Sequence, residues 1–282
     1  MTENQKTWTV KEVLRWTTAK FKEVNIDSPR LDAELLIAKV IGRDRVGVYL
    51  DYNRPLIPEE RKKLRIIVRK RLNRVPVAYL LGKKEFYGLE FKVSPAVLVP
   101  RPDTEILVET ALQILETGDS VLDLGTGSGA IITAVGCNFA GLQLGASDIS
   151  PEALAIAQQN TKAQGLEVDF YLGDMFQPVG GKKYNLIISN PPYIPPDATL
   201  QPELKHEPQT ALVTGDNGLK YLKIIIEQAP AHLHPGGKLL LEFGENQKEF
   251  VLQQLEKRGY IKVKAVEDLA GLPRMAQAQY DG

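Results

Sequence analysis

The spacing of apolar residues divides the chain into two parts with different periods. In the N-terminal part, apolar residues recur every three or four positions along 10–24, after Asp27-Ser28-Pro29 and after Pro58. This spacing predicts three amphipathic helices and a small helical domain. The inward faces are expected to carry Val10, Val13, Leu14, Thr17, Phe21 and Val24; then Leu31, Leu35 and Ala38; then Leu64, Ile67, Val68 and Leu72.

The second part begins where the period changes. Residues 85–93, EFYGLEFKV, form two short β-prone arms around Gly88 and predict a hairpin. A helix from Asp103 follows, with Leu107, Ala111, Ile114 and Leu115 inward. β-Prone and helical runs then alternate: SVLDLGT, GAIITAVGCNF, LQLGASD, PEALAIAQQNTKAQG, VDFYLGD, YNLIISN and GKLLLEFG. This alternation predicts an α/β fold with a mostly parallel sheet. We expect a helical domain at 1–83, a hairpin linker at 84–99 and an α/β domain at 100–282.

The composition is that of a globular protein with two domains. The chain has 282 residues, of which 43% are hydrophobic and 25% charged. The N-terminus lacks the pattern of a signal peptide, and no run approaches the roughly 20 apolar residues that span a bilayer. We therefore expect a cytoplasmic protein without a membrane segment. The single cysteine, Cys137, lies in an apolar stretch and is expected to be buried.

The net charge of zero conceals an uneven distribution. Residues 1–90 hold 20 Lys and Arg against 12 Asp and Glu, whereas the remainder holds 15 against 23. Much of the positive charge lies on the third predicted helix, on side chains expected to face mostly outward: Arg61, Lys62, Lys63, Arg65, Arg69, Lys70, Arg71 and Arg74. Such a face indicates an acidic or polyanionic partner, attraction to the acidic half of the chain, or simple solvation, and the count leaves these open.

A glycine-rich turn follows the first strand of the α/β part. In VLDLGTGSGA, residues 121–130, a strand enters the turn and a helix leaves it. Glycines permit tight backbone angles, and N–H groups at the start of a helix favour electron-rich ligand atoms. The turn predicts a nucleotide-like ligand. Gly125, Gly127 and Ala130 also fit the relaxed dinucleotide fingerprint, so an NAD-linked oxidoreductase is an alternative.

Acidic residues end the next two strands. Asp148 follows the glycines by about 20 residues, where a carboxylate can bind both hydroxyls of a ribose. Asp174, at the end of the third strand, can accept from an exocyclic amino group such as that of adenine. Both placements suit NAD and S-adenosylmethionine (SAM), and an Asp at a strand end can also be a turn or helix cap.

The stretch ISNPPYIPP, residues 188–196, ends a predicted strand in an unusual way. The residue before a proline is held extended, and each proline fixes its own φ, so Asn190-Pro191-Pro192 forms a stiff turn with outward carbonyls. Asn190 and the Pro191 carbonyl supply acceptors, and Tyr193 supplies a flat ring. Two acceptors would orient a planar –NH2 and direct its nitrogen toward a sulfonium methyl. A hydride-transfer enzyme has no evident use for this arrangement, although a proline-rich turn without chemistry is an alternative.

Together these motifs resemble known methyltransferases. The glycine turn with Asp123, then Asp148 and the NPPY tetrapeptide, resembles class I SAM-dependent methyltransferases that act on exocyclic or amide nitrogen. VPRPDTE (99–105), the EFYGLEF hairpin, HEPQTAL with GDNGL (206–219) and FGENQ (243–247) resemble the PrmC/HemK family. The resemblance spans nearly the whole chain. It implies a Rossmann-like domain whose seven-stranded, mostly parallel sheet has an antiparallel last strand, and a helical domain that contacts a release factor.

The resemblance also implies a reaction and a set of roles. The family methylates the side-chain amide nitrogen (N5) of the glutamine in the Gly-Gly-Gln motif of class 1 peptide chain release factors, and SAM becomes S-adenosylhomocysteine. Met175 stands where relatives often have an aromatic residue, so adenine stacking would be weaker or fall to Phe176. By resemblance, the catalytic and substrate-binding residues are Asn190, Pro191, Pro192 and Tyr193, and the cofactor-binding residues are Gly125, Thr126, Gly127, Ser128, Gly129, Asp148, Asp174, Met175 and Asn190.

Several expectations concern partners and alternatives. His206, His232 and His234 lack convergent ligand spacing, so we expect no metal. We expect a monomer. The alternatives are a methyltransferase for a glutamine of a ribosomal protein, an adenine-N6 nucleic-acid methyltransferase and a non-enzymatic binding module. A nucleic-acid substrate is not expected, because the chain has no obvious separate base-recognition domain.

Overall fold

The N-terminal part of the chain is helical. The computed structural model of the protein describes residues 7–268 and 270–282. The chain falls into two compact units: the described residues up to Gly82 with Gln201–His206, and Lys83–Leu200 with Glu207–Gly282. The first unit contains helices α1 (Val10–Glu23), α2 (Pro29–Ile41), α3 (Arg45–Leu50), α4 (Pro58–Leu72) and α5 (Val77–Leu81), and the short 3-10 helix Pro202–His206.

The first two helices differ in how well their spacing predicts the buried face. In α1 the predicted face is buried, although Val24 lies just past the end of the helix and is exposed. In α2 the predicted face is only partly right: Ala38 is buried as predicted, but Leu31 is 39% exposed, whereas Ala33 and Ile37, which were not predicted, are fully buried. The reason is that α2 packs against α1, α3, α4 and α5, so it is buried on more than one side. A helix in this position has no single apolar stripe for the spacing to reveal.

The basic helix α4 is only partly a solvated surface. Leu64 and Val68 are buried as predicted. Arg71, however, is also buried: its Nε donates to Asp32 at 2.7 Å and its Nη1 to Glu203 at 2.9 Å. Arg74 donates to the second oxygen of Glu203 at 2.7 Å. The outward prediction is therefore wrong for Arg71, because these ion pairs hold the 201–206 segment within the helical unit.

The second unit begins with a hairpin and continues as an α/β fold. Its elements are β1 (Lys83–Phe86), β2 (Leu89–Lys92), α6 (Glu105–Ile114), β3 (Ser120–Leu124), α7 (Ala130–Asn138), β4 (Gln143–Asp148), α8 (Pro151–Ala163), β5 (Asp169–Leu172), β6 (Tyr184–Ser189), α9 (Lys220–His232), β7 (Leu233–Glu242), α10 (Lys248–Lys257), β8 (Tyr260–Glu267) and β9 (Pro273–Tyr280). Short 3-10 helices occur at Pro102–Thr104, Gln177–Val179, Gln209–Ala211 and Glu245–Gln247.

The main sheet has seven strands in the order β5-β4-β3-β6-β7-β9-β8. Strands β3 to β7 pair in parallel, and β9 runs antiparallel to both β7 and β8. The predicted Rossmann-like sheet with an antiparallel last strand is confirmed. The chain passes from β3 to β4 on one side and later to β6 on the other, which makes the carboxyl end of β3 a topological switch point.

Alternating residues of the central strands are buried on opposite faces of the sheet. Leu122 and Ile187 belong to a cluster that includes α9 and α10, whereas their neighbours Val121 and Leu186 belong to a cluster that includes α6 and α7. This period of two, with apolar residues at both phases, is what a sheet covered by helices on both faces requires. The position of Cys137 differs from the prediction: it is exposed, because the last turn of α7 faces solvent. Among the described residues, no helix is long and apolar enough to cross a membrane.

Candidate active site

The glycine turn joins β3 to α7 at the switch point. Gly125, Gly127 and Gly129 all have positive φ, at 72°, 56° and 76°. An added Cβ at Gly129 would lie 3.0 Å from the Cβ of Ala157 on α8, so both the backbone angle and the packing require glycine there. At Gly125 and Gly127 an added Cβ would meet no atom within 4 Å. The turn is therefore packed against α8 at its end and open to a cavity at its start.

Asp148, the last residue of β4, lies across this turn. One carboxylate oxygen accepts from the Gly127 N–H at 2.8 Å and the other from the Ser150 N–H at 2.9 Å. Burial raises the pKa of Asp148, and these backbone donors oppose the rise. Asp148, which the sequence predicts to bind a ribose, therefore also holds the glycine turn in place. The sequence did not indicate this second role.

Asp123 supports the same turn from within β3, the strand that leads into it. It is fully buried in β3, and its Oδ2 accepts from the Thr126 hydroxyl at 2.7 Å. Burial raises the pKa of Asp123 to about 7, and the nearby charge of Asp148 acts in the same direction.

One cavity connects the three predicted cofactor segments. Its walls include Gly125, Gly127, Ser147, Asp148, Ile149, Asp174, Met175, Asn190 and Pro192. Ile149 is 57% exposed, although it is a large apolar residue beside two carboxylates. An exposed apolar side chain in a cavity wall is a natural contact for a planar base. Sequence reasoning missed Ile149; its position directly after the acid that ends β4 was the available signal.

Met175 and Phe176 have different roles at the end of β5. Met175 lines the cavity with φ at 46°, an uncommon value for a residue other than glycine. Phe176 is buried in the core, where its ring stacks on His232 with centroids 4.6 Å apart. The alternative that Phe176 stacks on a base is therefore wrong, because its ring is buried in the core and does not line the cavity.

Asn190 stands between two cavities. It lines the cavity just described and also a smaller one, whose walls include Phe86, Leu98, Pro100, Arg101, Thr104 and Ser128. Its side-chain Nδ2 donates to the Thr104 hydroxyl oxygen at 3.0 Å. Pro191 is buried, and neither Pro191 nor Tyr193 lines either of these two cavities.

The Tyr193 side chain is anchored away from the cavities. Its hydroxyl donates to Oε1 of Glu242 at 3.2 Å, and its backbone oxygen accepts from Gln247 Nε2 at 3.0 Å. Burial raises the pKa of Tyr193, and so does the charge of Glu242. The structure thus gives Tyr193 a bracing contact that the sequence did not predict.

The wall of the smaller cavity is fastened by a buried glutamate. One oxygen of Glu207 accepts from the Val99 N–H at 2.9 Å, and the other pairs with Arg101 at 2.5 Å. Glu207 is only 4% exposed. Glu207, which was part of one sequence motif, therefore fastens the VPRP segment of another motif beside Asn190. In residues 7–268 and 270–282, no group of His, Cys, Asp and Glu is arranged to hold a metal ion.

Both parts of the chain match families of known proteins. Residues 12–82 match the family described as the PrmC N-terminal domain, and residues 102–258 match the methyltransferase small domain. A methyltransferase structure from Pyrococcus furiosus has the same fold, with a TM-score of 0.54 and 22% identity over 79% of this chain and 98% of that one.

Similar curated proteins span nearly the full length. The release factor glutamine methyltransferase of Geobacter sulfurreducens is 40% identical over 278 residues, which cover 98% of both chains. That of Deinococcus radiodurans is 34% identical over 97% of this chain and 99% of its own. That of Coxiella burnetii is 41% identical over 89% of this chain and 92% of its own. This chain therefore belongs to the release factor glutamine methyltransferase family.

Proposed function

We propose that this protein transfers a methyl group from SAM to the side-chain amide nitrogen of the glutamine in the Gly-Gly-Gln motif of class 1 release factors, with S-adenosylhomocysteine as the second product. Membership of the family supports the reaction. The structural observation that carries it is the Asn190 side chain, which lies between two cavities with its Nδ2 already bound to Thr104. Its Oδ1 is the end left to accept from a substrate –NH2.

The residues that line the larger cavity are of the kinds that SAM would need. The open glycine turn offers space and backbone groups to the methionine part, Asp148 to the ribose, and Asp174 with Met175 and Ile149 to the adenine. When bound, SAM supplies an electrophilic sulfonium methyl. The chain itself keeps the glycine turn in place, through the bond from the Gly127 N–H to Asp148. Asp148 can also accept from ribose hydroxyls, because a carboxylate offers about four acceptor positions, more than the Gly127 and Ser150 N–H groups use.

The glutamine amide would be held on the side of the smaller cavity. Asn190 Oδ1, which borders this cavity, would accept one of its two hydrogens. The Pro191 carbonyl is the acceptor proposed for the other, although Pro191 itself lines neither cavity. A planar amide nitrogen is a weak nucleophile because its lone pair is delocalised. Holding both hydrogens out of the amide plane localises that lone pair and directs it toward the larger cavity. Catalysis in this account is chiefly positioning.

The helical unit would supply the docking surface for the release factor. In this proposal, residues 1–83 form the release-factor-binding domain, 84–99 the linker and 100–282 the methyltransferase domain. On α4, Arg71 and Arg74 are occupied by Asp32 and Glu203. Contact with a partner would therefore fall to the exposed basic side chains of this helix, which are Lys62, Lys63, Arg65, Arg69 and Lys70.

Methyl transfer from labelled SAM tests this proposal. The substrates are a class 1 release factor, the same factor with its Gly-Gly-Gln glutamine replaced by alanine, ribosomal proteins, and DNA and RNA that contain adenine. We expect label on the intact factor alone. Label on ribosomal protein would support the first alternative and label on nucleic acid the second. If the active preparation labels the alanine variant of the factor equally well, the proposed site is wrong.

A further inference from the structure

An apolar groove lies between α1 and α4 of the helical unit. Its volume is about 350 Å³, and its walls include Val13 and Trp16 on α1 and Leu64 and Val68 on α4. Trp16 is 45% exposed, although tryptophan side chains are on average highly buried in folded proteins. A groove of this size holds several side chains of another molecule. An exposed apolar surface with a polar rim is typical of a site of protein contact.

Three arginines of α4 line the same groove. Arg61, Arg65 and Arg69 follow one another at intervals of four residues, so they lie on one side of the helix, about 6 Å apart along its axis. In the described part of the chain, none of the three forms an ion pair, and no Asp or Glu lines the groove. Arg71 and Arg74, on the last turn of α4 and just beyond it, do have acidic partners. The charge beside the groove is therefore left without a counter-charge.

Two buried polar atoms of the groove wall have no hydrogen-bond partner among the described residues. They are the hydroxyl oxygen of Thr17, a residue that is fully buried, and Nε of Arg61. Buried polar atoms are nearly always hydrogen-bonded, because an unpaired one has lost its bonds to water without a replacement. Arg61 Nε can only donate, so what it lacks is an acceptor such as a carboxylate.

The groove matches a partner that is both apolar and acidic. A nucleic acid would pair its phosphates with the arginines but would offer little apolar surface to Leu64 and Val68. A second copy of this chain would bring another basic helical unit, since residues 1–90 hold 20 Lys and Arg against 12 Asp and Glu. Like charges would then oppose the contact. A protein segment that carries apolar and acidic side chains satisfies both the walls and the arginines.

We propose that the groove between α1 and α4 binds an amphipathic segment of the release factor. Its apolar side chains would enter the groove beside Trp16, and its carboxylates would pair with the arginines. The inference rests on the proposed function, because it takes the release factor as the partner. It also narrows the docking surface to one side of α4. Lys63, Ile66 and Lys70 are exposed on the outer face of α4, do not line the groove and lie outside the contact.

Charge reversals on the two faces of α4 test the proposal. Arg65→Glu combined with Arg69→Glu should raise KM for the intact release factor about tenfold to a hundredfold, because like charges then face the carboxylates of the partner. The value of kcat at saturating factor and the affinity for SAM should not change, because neither residue lines the SAM cavity. Lys63→Glu combined with Lys70→Glu makes the same change in net charge and should raise KM less than about threefold. Trp16→Ala, which removes only apolar contact, should raise KM about tenfold.

Photo-crosslinking identifies the occupant. With p-benzoylphenylalanine in place of Trp16, we expect a crosslink to a release-factor segment that contains both acidic and apolar residues, located by mass spectrometry. With the same group in place of Ile66, which is 52% exposed on the outer face, we expect none. A crosslink between two copies of this chain would overturn the proposal in favour of a dimer interface. Loss of the Trp16 crosslink on addition of RNA that itself crosslinks there would overturn it in favour of a nucleic-acid surface.

The kinetic results separate this inference from the proposed function. If the wild-type protein does not methylate the release factor, the proposed function fails and this inference fails with it. If the wild type is active and the Arg65→Glu, Arg69→Glu variant keeps its KM, the groove is not the docking site and the function stands. If the two pairs of reversals raise KM equally, net charge alone attracts the factor, and the groove is likewise excluded.

Discussion

Ionisation of Glu242 should make the free energy of unfolding of this protein depend on pH. The substitution Glu242→Gln should remove that dependence. The carboxyl is 3% exposed, and burial raises its pKa from 4.5 to about 7. Between these values the native protein retains a proton that the unfolded chain has released. The stabilising contribution is therefore complete below about pH 4.5 and is lost as the pH rises through about 7.

The size of the effect follows from the shift. Each pKa unit corresponds to about 1.4 kcal/mol, so the rise from 4.5 to about 7 corresponds to about 3 kcal/mol. Glu242→Gln has a similar shape but does not ionise. The free energy of unfolding of the variant, minus that of the wild type, should therefore increase by about 3 kcal/mol from pH 4.5 to pH 8.

Urea unfolding followed by circular dichroism at several pH values measures this difference. The comparison between variants cancels other titrating groups, including Asp123, whose burial also raises its pKa to about 7. Glu256→Gln, at an exposed glutamate of α10, is the control and should show a difference that does not change with pH. A flat difference for Glu242→Gln would show that Glu242 is not held in a buried, charge-excluding site.

Three further substitutions test the site. Asn190→Ala should lower kcat at least about a hundredfold while sparing SAM binding, and normal turnover would contradict its role. Asp148→Ala should weaken SAM binding about tenfold to a hundredfold in calorimetry, and unchanged affinity would refute the ribose assignment. Gly129→Ala should lower the free energy of unfolding by about 2 kcal/mol, because its φ of 76° is unfavourable for alanine and the added Cβ meets Ala157; wild-type stability in urea would contradict this.

Local features of the site were predictable because their residues are adjacent in the chain. The glycine turn combines a strand, a turn and a helix start within ten residues, and the NPPY turn combines its acceptors within four. The parallel sheet was equally accessible, since strand and helix patterns alternate and the carboxyl ends of parallel strands lie on one edge. The sequence therefore predicts that Asn190 and the glycine turn lie at the same edge of the sheet, where the parallel strands end.

The supporting contacts were not predictable from spacing. Asn190 meets Thr104 across 86 residues, and Tyr193 meets Glu242 across 49. Such pairs depend on how α6 and β7 pack, which no local pattern encodes. The same limit explains the error in α2, where burial on several sides hides the inward face, and the error at Phe176, which depends on how its ring packs in the core.

The site of methylation on the release factor is the measurement that bears most directly on the central claim. A class 1 release factor would be incubated with this protein and SAM, digested, and analysed by tandem mass spectrometry. The account predicts one added methyl group, on the side chain of the Gly-Gly-Gln glutamine, and none when Asn190→Ala replaces the wild-type protein. A methyl group on any other residue, or an unmodified factor in a reaction that consumes SAM, would contradict it.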